Sequence, residues 1–444
     1  MALATPCGVA AIAKVRVSGP RTKELVQEIF GKKEWGARHV YHSSFRNRQG
    51  ERLDEVCWFY FEGEHSYTGE DSLEIDCHGN PLIVQKILED LEFRACRLAE
   101  PGEFTRRAFL NHKIDLCQAE AVLDLIHANN EEALALASQQ LSGKLSRKVS
   151  ELSERLLRLL ASVEMTIDFP SEMDDEPKDA NHIREAIGQF LEDIRSLQAM
   201  QRDSERLKRG TKVVLIGEPN VGKSSLFNCL LRQERALVNA EAGTTRDFIS
   251  ASWICSGYVL ELCDTAGLRH PESDLERQGI EKSITLLKEA DLALWVVDPH
   301  VLEKFSIQTL QTHIDLKRVI RVENKSDLGT ADMPRAENGL RTVSVSAKTG
   351  MGIDVLCLLL VEKIRVLSVH CVPSYGINER HASVFRRVEQ VLASSLVRMD
   401  SADLAVECMA SDLRLALEIL GEITNPYDQE AILDRLFAQF CIGK

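Results

Sequence analysis

Gly217-Glu-Pro-Asn-Val-Gly222-Lys223-Ser224 stands between an apolar run, Val213-Val-Leu-Ile216, and Ser225-Leu-Phe-Asn-Cys-Leu-Leu231, whose spacing predicts a helix. Two glycines at that spacing followed by Lys-Ser, with a strand before and a helix behind, make a loop that cradles phosphate. Backbone N–H groups and the helix N-terminus point at the anion. Lys223 is expected on the β/γ-phosphates and Ser224 on Mg²⁺. Working outward, short apolar strands alternate with helices: Leu292-Ala-Leu-Trp-Val-Val297, Val319-Ile-Arg-Val322 and Thr342-Val-Ser-Val345. That alternation predicts a doubly wound α/β domain from Gly210 to about Leu367.

Four further elements follow in order. Asp264-Thr-Ala-Gly267 ends a strand predicted over Tyr258 to Cys263, and reads as a Mg²⁺-linked aspartate with a γ-phosphate-sensing glycine. Thr244 and Thr245, after Gly243, sit where a switch threonine closes on Mg²⁺. Asn324-Lys-Ser-Asp327 resembles the guanine-reading motif, with Asp327 accepting from the purine N1–H and 2-amino group. Ser346-Ala-Lys348 resembles the loop behind the guanine O6. Each alone is also a plausible turn or cap; five in order resemble a Ras-like GTPase and select guanine over adenine. The expected nucleotide contacts are Asn220, Val221, Gly222, Lys223, Ser224 and Ser225. Further along come Asn239, Ala240, Glu241, Ala242, Gly243, Thr244 and Thr245, then Asp264, Thr265, Ala266 and Gly267, and finally Asn324, Lys325, Ser326, Asp327, Ser346, Ala347 and Lys348. Leu268 takes the place where many such enzymes carry a water-orienting Gln. Asn220 either serves as a ligand for a K⁺ ion that replaces an arginine finger, or only shapes the loop.

The 444 residues suggest about three domains. Fifty-four Lys and Arg against 68 Asp and Glu leave a formal charge of −14, which disfavours general nucleic-acid binding. No apolar run approaches the roughly 20 residues of a membrane helix; the longest, Val355 to Val361, reads as a core segment. The start, Met1-Ala-Leu-Ala-Thr-Pro6, lacks the basic region of a secretory signal. Twelve cysteines without CxxC or zinc spacing read as reduced thiols of a cytoplasmic protein.

Residues 1–113 mix signals as an α+β domain. Val56 to Phe61 and Ser72 to Asp76 read as strands, and Asn80 to Leu91 as a helix opened by proline. At Asp115-Leu-Cys-Gln118 a capping box opens helical sequence. It runs from Glu131 to about Ile167 with Gly143 the one breaker, then from about Asn181 to Leu207. After Ile377 the chain is helical again. The expected division is an N-terminal domain (1–113), a helical part (114–209), the α/β domain (210–367) and a second helical part (368–444). The two helical parts are expected to pack as one bundle, with the α/β domain inserted.

Three more stretches carry a wider resemblance: Tyr67-Thr-Gly-Glu-Asp-Ser-Leu-Glu-Ile-Asp-Cys-His-Gly79, Pro101 to Leu116, and the terminal Phe440-Cys441-Ile442-Gly443-Lys444. With the phosphate loop and Gly243-Thr-Thr-Arg-Asp247 they resemble the MnmE (TrmE) family of tRNA-modification GTPases over the whole chain. The resemblance implies a homodimer joined through N-terminal domains that bind a 5-formyl-tetrahydrofolate-type, or methylene-tetrahydrofolate, one-carbon donor. It implies K⁺-dependent GTP hydrolysis and a heterotetramer with the flavoprotein MnmG (GidA). Together the two install an aminomethyl-type (carboxymethylaminomethyl) group at C5 of the tRNA wobble uridine. Folate contacts would fall on Arg16, Glu74, Lys113 and Lys444. K⁺ would take Asn220, Thr244 and the backbone of Asn239 and Glu241, and Mg²⁺ would take Ser224 and Thr245. The catalytic glutamate would be Glu276, and Cys441 would face the modification site.

Read without the resemblance, Arg16 is a surface charge beside a strand, Lys113 a helix cap and Glu276 a solvated carboxylate. Val9-Ala-Ala11 departs from a stretch that is usually richer in glycine in the family. A ribosome-assembly GTPase without covalent chemistry is the rival reading. It shares the five nucleotide motifs, but explains neither the folate-type stretches nor the terminal cysteine.

Overall fold

The computed structural model describes residues 1–31, 34–128, 130–168, 176–233, 249–256, 258–264, 286–288, 290–301, 310–329, 340–368, 373–399, 406–425 and 430–443. They fall into two units, one built from Met1–Ile126, Ala137–Gln198 and Glu379–Lys444, the other from His127–Leu136 and Ala199–Asn378.

The first unit opens with five strands, β1 (Ala2–Leu3), β2 (Ile12–Ser18), β3 (Val40–Arg46), β4 (Arg52–Phe61) and β5 (Ser72–His78), paired antiparallel in the order β1-β2-β5-β4-β3. Period-two alternation decides the two faces of β2. Ala13, Val15 and Val17 are buried, while Lys14 and Arg16 are half-buried on the other side. There they stand opposite Asp76 and Glu74 of β5, so opposite charges pair across the strands. Helices α1 (Thr22–Phe30) and α2 (Pro81–Phe93) contribute to the apolar side, where Trp58 is fully buried and stacks on Phe30 and Tyr41 with ring centroids 4.5 Å apart in both pairs. Asn80 caps α2 by accepting from the Leu82 N–H, with Pro81 at the first helical position.

Along the chain follow helices α3 (Glu103–Leu110), α4 (Leu116–His127), α5 (Glu131–Leu141), α6 (Lys144–Asp168), α7 (Glu176–Ala199) and α8 (Gln201–Arg209), of which α8 and the first half of α5 belong to the second unit. The capping box forms as its spacing predicts: Asp115 accepts from Gln118 N–H at 2.9 Å, and Gln118 returns the bond at 3.0 Å. The long helical stretch divides at Gly143, whose φ of +80° ends one helix before the next begins. The helix expected over 181–207 already runs from Glu176 and breaks at Met200.

The second unit holds a six-stranded sheet: β6 (Thr211–Ile216), β7 (Ile249–Cys255), β8 (Tyr258–Asp264), β9 (Leu292–Val297), β10 (Val319–Glu323) and β11 (Arg341–Ser344). The order is β11-β10-β9-β6-β8-β7, parallel except for the antiparallel edge strand β7. Every residue of β9 is buried, as a strand covered on both faces requires. Helices α9 (Lys223–Gln233) and α10 (Ile353–Ser368) pack here. The apolar run Val355 to Val361 lies on α10 and corrects its reading as wholly core. Leu356, Leu360 and Val361 are buried, but Val355 and Leu358 are exposed, because 100° per residue cannot turn seven consecutive side chains inward.

Back in the first unit, α11 (Glu379–Met399) packs on α12 (Val406–Gly421), which in turn packs on α6; α13 (Glu430–Phe437) lies against α3, where Arg106 pairs with Asp434 at 3.0 Å. At the start of α11, Arg380 Nε and Nη2 hold the Glu120 carboxylate at 2.7 and 3.0 Å. The guanidinium also donates to the carbonyls of Glu422 and Ile423. His381 Nε2 and Cys117 Sγ complete this buried group. Its donors are of metal-binding type, yet the Arg380 guanidinium already supplies the cation. Burial pushes the Cys117 thiol well up, away from the thiolate that a metal needs.

Candidate nucleotide site and the Arg16 cluster

The phosphate loop leaves β6 at Ile216 and enters α9 at Lys223, as the sequence predicts. Asn220 has φ +66° and an exposed side chain. Gly222 has φ +95°, and a Cβ there would lie 2.2 Å from Asn324 Nδ2, so glycine is required. Lys223 is buried and its Nζ donates to the carbonyls of Gly217 and Glu218, both at 2.8 Å, which draws the ammonium over the loop. Burial lowers its pKa against the opposing pull of Asp264 and Glu218. Ser224 and Ser225 are exposed at the helix N-terminus, and Asp264 is buried at the end of β8, paired in register with Leu215 of β6. A cradle of N–H groups with a lysine, a free-facing serine and a carboxylate at a strand end fits a nucleotide phosphate with its Mg²⁺.

Asn324 works as a rivet. Its Nδ2 donates to the Val221 carbonyl at 2.9 Å, and its Oδ1 accepts from Ala347 N–H at 3.0 Å. One side chain thus ties the phosphate loop to both base-side loops. Asp327 is exposed and accepts from the Ser346 hydroxyl at 2.7 Å, which holds its carboxyl below the usual range. Lys325 and Ser326 follow β10, and Lys348 is exposed beyond the buried Ser346. The structure therefore brings together Asn220 to Ser225, Asn324 to Asp327 and Ser346 to Lys348. Asn239, Ala240, Glu241, Ala242, Gly243, Thr244, Thr245, Thr265, Ala266, Gly267, Leu268 and Glu276 lie outside the described residues. Asp298, next to this cluster through its pair with Lys325, belongs to none of the five nucleotide motifs. The available signal was a carboxylate directly after an apolar parallel strand.

In the first unit, Arg16 binds Glu74 through Nε at 3.0 Å and Nη2 at 2.8 Å, with Lys14 on the same carboxylate at 2.7 Å. Burial raises the Glu74 carboxyl, but the two cations outweigh it and hold it below the usual range. The Arg16 guanidinium lies 5.6 Å from the Phe104 ring centroid and 5.9 Å from that of Tyr67. Its Nη1 reaches the carbonyl of Gly443 at 3.4 Å, from a strand 427 positions earlier. Gly443 has φ +98°, and a Cβ would sit 2.3 Å from the Leu3 carbonyl. The tail is thus seated on β1 and β2, anchored by buried Phe440, with Cys441 exposed between. Lys113 donates to the Glu64 carbonyl at 2.8 Å, on the turn that leads to Tyr67. Lys444 lies outside the described residues. Arg16, Lys14 and Glu74 thus form a paired charge cluster beside the Tyr67 and Phe104 rings and the 440–443 segment.

The profile described as "MnmE helical domain" matches residues 116–441, and that described as "GTP-binding protein TrmE N-terminus" matches residues 1–113. A "tRNA modification GTPase MnmE" of Opitutus terrae is 43% identical, across 100% of this chain and 98% of that protein. Another of that name from Aquifex aeolicus is 40% identical, across 100% and 99%. Among solved structures, the G domain of the T. maritima FeoB iron transporter is 28% identical over 35% of this chain and 98% of its own, with a TM-score of 0.28. No described helix is long and apolar enough to cross a membrane.

Proposed function

The chain belongs to the MnmE family of tRNA modification GTPases, and from that premise we propose that it is a K⁺-dependent GTPase that works with the flavoprotein MnmG. It is a GTP hydrolase acting in tRNA modification. The proposed reaction places an aminomethyl-type (carboxymethylaminomethyl) group at C5 of the wobble uridine, with a tetrahydrofolate supplying the one-carbon unit. A homodimer joined through the N-terminal domains, and a heterotetramer with MnmG, are the proposed assemblies.

The observation that carries the reading is the contact of the tail with Arg16. The segment packs through buried Phe440, yet it also carries the exposed Cys441 two positions before its contact with Arg16. That placement has a chemical use if the surroundings of Arg16 hold the one-carbon donor. Arg16 and Lys113, with Lys444, would bind the acidic tail of the folate, and Glu74 would accept from its heterocycle. Cys441 would present its thiol toward the modification site.

In the nucleotide unit, Lys223 and the loop N–H groups bind the phosphates, and Ser224 with Thr245 would hold Mg²⁺. K⁺ would supply the positive charge that an arginine finger supplies elsewhere; Asn220, Thr244 and the backbone of Asn239 and Glu241 would be its ligands. Glu276 would orient the attacking water in place of the glutamine that Leu268 replaces. Asp327 reads the guanine edge.

Mass spectrometry of tRNA nucleosides from cells with and without this protein tests the proposal. Loss of the C5-modified wobble uridine is expected on deletion. An unchanged nucleoside profile would refute it and return the ribosome-assembly reading.

A further inference from the structure

We infer that Asp298 is a positioning residue of the nucleotide site, holding Lys325 across the face of the base while Asp327 reads its edge. The inference rests on the proposed reading of Asn324 to Asp327 as the guanine loop. Asp298 directly follows β9, at the carboxyl end of a parallel strand beside β10, where open α/β sheets bind ligands. Its side chain is 5% exposed, and Oδ2 accepts from Lys325 Nζ at 2.6 Å, while Oδ1 accepts from His300 N–H at 3.0 Å. Burial raises the carboxyl, but Lys325 and the His300 N–H outweigh it and keep it ionised.

Lys325 needs such an anchor. Its backbone has φ +66°, which side chains other than glycine rarely adopt. On one side Asn324 is pinned by three bonds, to Val297, Val221 and Ala347. On the other the Ser326 N–H is held by the Val345 carbonyl. Between these fixed points the lysine stem has one remaining freedom, its direction, and the buried carboxylate sets it. The stem stays partly open, with the side chain 35% exposed. A tied ammonium with open methylenes offers a flat ring an apolar surface.

Face and edge recognition make different demands. A stem across the ring face serves any purine, whereas Asp327 on the edge distinguishes guanine, which has a 2-amino group, from hypoxanthine, which lacks it. The test measures GDP and inosine diphosphate binding to the full chain by calorimetry, for the parent, Asp298→Asn, Lys325→Ala, the double variant and Asp327→Ala. Asp298→Asn keeps the shape and an acceptor for His300; Asp298→Ser replaces it if its thermal unfolding departs from the parent's. Asp298→Asn is expected to weaken both nucleotides by the same factor, roughly tenfold for a lost charge-assisted bond. It should raise KM for GTP with kcat little changed, and add nothing in the Lys325→Ala background. A residue that merely supports the loop would instead disturb Asp327 and change the ratio of the two affinities. Parental GDP affinity in Asp298→Asn, a changed ratio, or further weakening in the Lys325→Ala background would each overturn the inference. If instead Asp327→Ala leaves the ratio untouched, the guanine-loop reading itself fails, and the inference with it.

Discussion

Replacing Arg380 by leucine should be the most damaging single change to the first unit. The side chain contributes two bonds to the Glu120 carboxylate, at 2.7 and 3.0 Å, and two to main-chain carbonyls, at 2.9 and 3.0 Å. Glu120 is only 6% exposed. Leucine fills much of the volume but leaves the carboxylate buried with His381 alone. Breaking such a pair from one side costs about 3–5 kcal/mol. At about 2–4 °C per kcal/mol for a unit of this size, the corresponding transition should fall by on the order of 10 °C. Calorimetry at neutral pH on the full chain would show it, for the parent, Arg380→Leu and Glu120→Leu/Arg380→Leu. The double variant should recover much of the loss, because no charge is then stranded. The pH dependence has a definite sign. Burial raises the Glu120 carboxyl, but His381 and Arg380 outweigh it and hold it far below the usual range. The pair's stabilisation is therefore present above the unfolded carboxylate pKa, near 4.3, and is lost as pH falls toward the folded value. The gap between parent and Arg380→Leu should narrow on acidification below about pH 4.3. A single variant within about 1 kcal/mol of the parent, or a double variant no better than the single, would refute the reasoning.

GTP turnover should require K⁺ and fall sharply in Na⁺. Asn220→Ala should remove the K⁺ effect with modest loss of GTP binding, and equal rates in the two salts would sink the ion's role. Glu276→Ala should lower kcat by on the order of 10²-fold with nucleotide affinity almost intact; parental turnover would make Glu276 a solvated carboxylate. Cys441→Ser should keep GTP hydrolysis near parental yet abolish wobble-uridine modification, and deletion of Lys444 should weaken formyl-tetrahydrofolate binding. Normal modified nucleoside from Cys441→Ser would reduce the tail to a structural element.

The parts legible in the sequence are those whose causes are local. The phosphate loop needs two glycines, a lysine and a serine within eight positions, and β6 and α9 flank it as their patterns require. The capping box at Asp115 is complete within four residues. The strand β3 was not legible, because Val-Tyr-His-Ser-Ser-Phe-Arg alternates poorly and its aromatic packing is set by Trp58 of β4. The exposed side of α10 was misread because an apolar run carries no sign of which residues face inward. Arg16 beside Gly443 lay beyond any spacing argument; only the resemblance pointed there. Asp298 and Arg380 were missed for the same reason, since an ion pair 27 or 260 positions apart leaves no periodic trace.

The first unit is assembled from three separate stretches, and about 180 residues intervene between the last two. During synthesis, the nucleotide unit has all of its chain by Asn378, whereas the first unit still lacks α11, α12, α13 and the tail. Closing so long an interruption costs only about 2–3 kcal/mol more than closing a ten-residue loop, provided that the insert is already folded and its ends are near each other the cost is smaller still. A nascent chain halted after Asn378 therefore holds every residue of the nucleotide unit while the first unit is still incomplete. Hydrolysis alone would then be a poor certificate of a sound molecule; seating of Gly443 on β1, which needs the third stretch of the first unit, is the better one.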